Sequence, residues 1–316
     1  KLTATEAIRQ PICLLLTIAY VLASGIVPIT VMHNFGEEGK LARDGGLAFH
    51  FIFGVLIAIY SAVLTFNREI RKGTVSAILS KPVGREVFYL AKFAGIVAVV
   101  IIFSFIATIA TLIAERSSEV FMAKNYYMGY AMDWRSGIFL CITPAVACIT
   151  GGIANYLRKQ IFTSTAFFSL FCLILLVFIY IVFFDRLGRF APMENDIQMR
   201  IIAASFLITV ALVLITSIAV TLAIRCGITT SLVFSFVILA GGLLSDYFCT
   251  NFHAGILKFL LIGVIPNWQH FWMADALDGG QYIPAKYILS CLLYALFYLS
   301  FILSAGTIIF KHADIK

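Results

Sequence analysis

A chain of 316 residues with 61% hydrophobic and 12% charged residues, and a mean hydropathy of +1.00, is no water-soluble domain, because soluble domains run at roughly 25% charged. The net charge of +7 is modest, and its distribution says more than its total. The seven cysteines form no Cys-x-x-Cys pair and lie mostly inside apolar runs, so they read as small buried residues, not as a disulfide framework or zinc site.

In chain order, residues 1–11 (KLTATEAIRQP) read as a short interfacial helix ending where Pro11 opens the first span; a frayed tail fits equally well. The run at 12–32 is too long for the apolar region of a signal peptide and reads as a span. Eight such runs, near 12–32, 48–66, 93–114, 138–157, 161–184, 201–224, 228–248 and 287–310, are long enough or nearly so to cross a membrane. The hydrocarbon core is ~30 Å thick, and every backbone amide must be satisfied in lipid, which runs of this length achieve as helices. The expected fold is therefore an all-α integral membrane bundle of about eight transmembrane helices, one domain over 1–316.

Between the second and third spans lies Asn67–Lys92, which holds six of the 23 Lys and Arg residues against Glu69 and Glu86. Such a basic loop stays on the cytoplasmic side. Alternation then puts both termini inside, with 13 Lys and Arg inside against 10 outside. Thr74–Ser80 can form about two helical turns before Pro82 forces Lys81 to extend. Val75, Ile78 and Leu79 then share one face and call for a protein to pack against. The loop has no interleaved aromatics for stacking on bases, so nucleic acid is not an expected partner. The inner turns Arg158-Lys159-Gln160 and Arg225-Cys226-Gly227 are very tight, which leaves Asn67–Lys92 as the sizeable inner docking surface.

The outer segments 33–47, 115–137 and 185–200 are mixed in charge and carry no motif. The outer segment 249–286 differs from them. Its residues 254–265 are apolar apart from Lys258, too short to span and too apolar for water, as expected of a re-entrant half-helix. Pro266-Asn267 ends it, and Trp268, Phe271 and Trp272 follow as an interfacial aromatic cluster.

Two of these stretches resemble type-2 ATP-binding-cassette (ABC) permeases. The first match is Glu69, Gly73-Thr74, Ile78-Leu79-Ser80 (Ile78 in place of a Leu), Pro82, Arg85 and Lys92. The second runs from Val264 to the C-terminus, with the Ile265-Pro266-Asn267-Trp268 turn outside the last helix and a short basic tail after it. The resemblance implies that Glu69, Gly73, Thr74, Val75, Ile78, Leu79, Ser80, Pro82 and Arg85 couple the chain to ABC ATPase subunits. It further implies a second permease subunit, identical or related, and ATP with Mg on the partner ATPase, in an exporter-like complex of the inner (cytoplasmic) membrane. The half-helix, with Ile265, Pro266, Asn267 and Trp268, would form an outer gate. The family core has six spans, so the pair at 138–184 is expected to be an addition.

Other classes are weighed on the residues. No Gly-x-x-x-x-Gly-Lys-Ser/Thr run exists, so no nucleotide and no cofactor is expected on this chain. The spans lack Lys, Arg, Asp and Glu except at their ends, which argues against an ion-coupled carrier. His33, His50, His253 and His270 are too scattered for a metal site and read as interfacial. Gly151-Gly152 and Gly241-Gly242 read as packing accommodations. The alternative function is a non-transporting membrane anchor or scaffold of a motility or metalloenzyme-maturation complex.

Overall fold

The computed structural model describes residues 2–30, 39–71, 84–124, 127–191, 197–245, 247 and 265–312. Among them, nine helices are α1 Leu2–Ile8, α2 Pro11–Thr30, α3 Lys40–Arg71, α4 Arg85–Ser117, α5 Trp134–Arg158, α6 Phe162–Phe183, α7 Ile201–Ala223, α8 Ile228–Leu243 and α9 Ala285–Lys311. Seven of these, α2 to α7 and α9, are long and apolar enough to cross a membrane. The eighth expected span appears as α8, whose 16 described residues rise about 24 Å. An all-helical polytopic membrane protein is the result.

Two helices are longer than their apolar runs. With 32 residues in α3 and 33 in α4, each rises about 50 Å and outreaches the lipid core at both ends. The basic stretch expected as a loop over 67–92 is thus helical up to Arg71 and again from Arg85. Charge ends a membrane span, but it does not end a helix. The segment 115–137, expected as an outer loop, is also not a plain loop. Strands β1 Val120–Lys124 and β2 Tyr127–Ala131 pair there antiparallel, with Phe121 opposite Tyr130 and their rings 5.3 Å apart, edge to face. Aromatic-rich, alternating residues favour strand pairing even in a helical protein.

One end of the bundle, the near end, carries the α1–α2 junction, the α5–α6 and α7–α8 turns and the end of α9. The far end carries the hairpin and residues 265–284. Helix α4 is the axis: its most apolar window is 67% buried, against 11% for α9. One face of α4 packs with α3, α7 and α9, the other with α1, α2, α5 and α6, while α8 packs on α3 and α7.

Helix α1 is not a frayed tail. Ala7 and Ile8 are buried, and a Cβ on Gly95 would fall 2.6 Å from Thr3 Cβ, so α1 lies directly on α4. Lys92, expected as a loop cation, is buried within α4, its Nζ 3.8 Å from Glu6 and 5.6 Å from the Phe88 ring centroid.

At the far end the charged residues stitch elements together. The fully buried Arg116 donates to the carbonyl oxygens of Ile181 (3.3 Å) and Phe184 (2.9 Å) at the end of α6, where a cation complements the helix dipole. Arg186 donates to Ser118 O at 2.6 Å. Asp133 caps α5 by accepting from Ser136 N and Oγ at 3.2 and 2.6 Å, an N-cap contact of the usual kind.

Candidate functional site

Helix α3 carries the basic stretch out of the bundle and α4 brings it back. Glu69 lies on the last helical turn of α3, and Arg85 opens α4. Gly73, Thr74, Val75, Ile78, Leu79, Ser80 and Pro82 lie outside the described residues. What is described is how the two ends of the segment are held. Arg85 Nη1 donates to Lys311 O at 2.9 Å, and Glu86 lies 3.8 Å from Lys311 Nζ. Beneath them the buried Phe310 ring stacks on Phe88 (5.8 Å, 14°) and meets Phe66 edge to face (5.8 Å, 72°). Tyr89 shares a 2.8 Å hydrogen bond with Thr221 and fills the space beside Gly306, where a Cβ would come within 2.2 Å of its hydroxyl. The end of α3, the start of α4 and the end of α9 thus form one aromatic block.

At the far end the structure brings Ile265, Pro266, Asn267 and Trp268 together in one braced turn. Asn267 N donates to Tyr294 Oη at 2.9 Å, and Tyr298 Oη to Ile265 O at 3.3 Å. Asn267 Oδ1 accepts from Gln269 N at 2.9 Å, starting the 3-10 turn Gln269–Phe271 as an Asx cap does. Gln269 Nε2 donates to Leu243 O at 3.0 Å, and Tyr287 Oη to His270 O at 2.9 Å. Trp268 is buried against the last turn of α8: a Cβ on Gly242 would lie 2.3 Å from Pro266 O and 2.4 Å from Trp268 Nε1. The half-helix expected over 254–265 lies, apart from Ile265, outside the described residues.

The turn is also tied to α3 from behind. Arg43 donates to Leu277 O (3.2 Å) and pairs with Asp278, which Lys40 Nζ also approaches at 3.0 Å. These cations hold the Asp278 carboxyl below the usual carboxylate range, the Lys40 contact first and Arg43 next. Between the turn, α3 and α7 opens an apolar cavity of about 590 Å³, lined by Phe51, Ile52, Ile208, Trp268 and Trp272 with Asp275 among its few polar groups.

The sequence reading misplaced one residue. His50 is not interfacial; it is wholly buried, about 15 Å along α3 from Lys40. Its Nδ1 lies 3.1 Å from Ser205 Oγ, which is 2.5 Å from Thr108 Oγ1, while its Nε2 has no partner. The signal was present: Leu47, His50, Gly54 and Ile57 recur at helical spacing, and all four are buried. His270 sits at the far-end turn, and His33 and His253 lie outside the described residues.

A family model described as ABC-2 family transporter protein matches residues 7–168, a little over half of the chain. The matched stretch runs from α1 through α5 and into α6, and so includes helices expected to be an added pair. No curated protein and no solved structure matches the chain.

Proposed function

Because the chain belongs to the ABC-2 transporter family, we propose that it is the permease subunit of an exporter-like complex, coupled through residues 67–92 to a separate ABC ATPase. The observation that carries this reading is the aromatic block at Phe310. It ties Phe66 of α3 and Phe88 and Arg85 of α4, the helices that flank residues 72–83, to the end of α9, as a coupling element that moves membrane helices would require.

In this reading a second permease subunit, identical or related, completes the path. ATP and Mg act on the ATPase, and both termini and residues 72–83 face the cytoplasm of a cell bounded by its inner membrane. Closure of the ATPases pushes the segment, tilts α3, α4 and α9 together, and alters the far-end cavity, with the Ile265–Trp268 turn and the preceding half-helix as the outer gate. The cavity walls, mostly aromatic and aliphatic with few polar groups, suit an amphipathic cargo.

Reconstitution with the ATPase in vesicles tests the proposal. The permease reading requires ATP-dependent movement of an amphipathic cargo together with stimulated hydrolysis. Complex formation without movement is the result expected of an anchor or scaffold.

A further inference from the structure

We infer that the near end of α6 holds a binding site for the phosphate headgroup of an anionic phospholipid. A cavity of about 750 Å³ opens there, at the foot of α6, and two chain segments far apart in sequence send cations into its lining. Arg9 comes from the α1–α2 junction and Lys159 from the α5–α6 turn. Both are exposed, and neither forms an ion pair among the described residues. The junction is fixed to α6 by Thr163 Oγ1, which donates to Arg9 O at 3.0 Å. The turn is fixed by Asn155 Nδ2, which donates to Gln160 O at 2.6 Å, with Lys159 itself in the left-handed region at φ 51°.

The rest of the lining fits a phosphate. Ser164, Thr165 and Ser169 line the same cavity; the Thr165 hydroxyl donates to Ile161 O at 3.0 Å and that of Ser169 shares a 2.6 Å hydrogen bond with Thr150, which leaves Ser164 as the hydroxyl to meet an anion. Ile161 precedes α6 without a side-chain cap, so the first amides of the helix have no side-chain acceptor at its positive dipole end. An uncapped terminus alone would mean little. Here it meets two cations and the Ser164 hydroxyl around one cavity.

The neighbouring surface decides between a free anion and a lipid. From Ile161 a line of exposed apolar side chains climbs α6 through Phe168, Leu176, Ile179 and Phe183 at helical spacing. A charged foot below an apolar wall is the shape of a phospholipid, headgroup at the interface and acyl chain along the helix. A soluble phosphate would use only the foot. The site lies apart from the Phe310 block, so it stands or falls independently of ATPase coupling.

The test is native mass spectrometry of the full chain released from mild detergent, with phosphatidylglycerol, phosphatidylcholine or inorganic phosphate added. Wild type is expected to retain one phosphatidylglycerol in preference to phosphatidylcholine. Two cations at roughly fivefold each would account for up to about a twenty-fivefold preference. Arg9→Gln with Lys159→Gln should erase the preference, Arg9→Lys should keep it, and Lys286→Gln, which removes an exposed far-end cation, should leave it unchanged. Matching melting curves show that the double variant is folded. A preference that survives the double variant overturns the site, and so does equal loss in the Lys286 variant. Displacement of phosphatidylglycerol by millimolar phosphate makes it a free-anion site and overturns the lipid assignment.

Discussion

Arg85 donates a 2.9 Å hydrogen bond from its guanidinium to the carbonyl oxygen of Lys311, so the first residue of α4 caps the last turn of α9. The contact joins the return end of the basic segment to the C-terminal helix, on top of the Phe88–Phe310 stack. Because the bond is exposed, its removal should change stability by no more than about 1 kcal/mol. Its position is what matters. Arg85→Ala is predicted to lower permease-stimulated ATP hydrolysis several-fold while the melting temperature of the permease hardly moves. Equal losses in both would mean that the contact only supports the fold.

The far-end turn predicts a contrast between two glycines. A side chain at Gly242 would meet Pro266 O and the Trp268 indole at 2.3 and 2.4 Å, whereas at Gly152 it would meet nothing within 4 Å. Gly242→Ala should therefore destabilise by about 1–3 kcal/mol, as overpacking does. Gly152→Ala, on an open face within α5, should be neutral or stabilise by roughly 0.5–1 kcal/mol. Thermal melting in detergent compares them. Equal behaviour would show that the turn is not packed on α8.

Asp278 gives a pH signature. Its carboxyl is held low by Lys40 and Arg43, so its contribution is full above the unfolded value of about 4 and is lost as pH falls through the lower native value. Asp278→Asn should melt below wild type at pH 7, and the gap should narrow as pH falls below about 4. A gap that stays constant through that acidification would assign it to packing instead of charge.

The apolar runs were legible because lipid imposes length and composition together, and each expected span has its helix. Helix ends were not. Arg71 and Arg85 are helical because a helix leaving the lipid keeps its own hydrogen bonds, so charge marks the membrane surface and not the terminus. His50 was misplaced for the same reason. The apolar run begins near residue 48, whereas α3 begins at Lys40, which moves the imidazole well inside. The bracing of the Asn267 turn by Tyr294 and Tyr298 depends on residues 27 and 33 positions away, and no local pattern announces such a pairing. The Phe66–Phe88–Phe310 block is similarly non-local. Twenty-nine phenylalanines look alike in sequence, and only packing singles out three.

Docking of the basic segment into an ATPase is tested by co-purification of the two proteins. Val75, Ile78 and Leu79 are proposed to insert into a cleft of the ATPase, each burial stabilising by ~1.5–3 kcal/mol, with interface energy concentrated in such anchors. Replacing all three by Ser should release the ATPase while the permease stays folded in the membrane; Glu69→Ala should weaken coupling more than assembly. If the segment instead lies on anionic headgroups, its cations supplying ~1 kcal/mol each, the triple Ser variant will hold the ATPase at wild-type stoichiometry. That result would contradict the docking account.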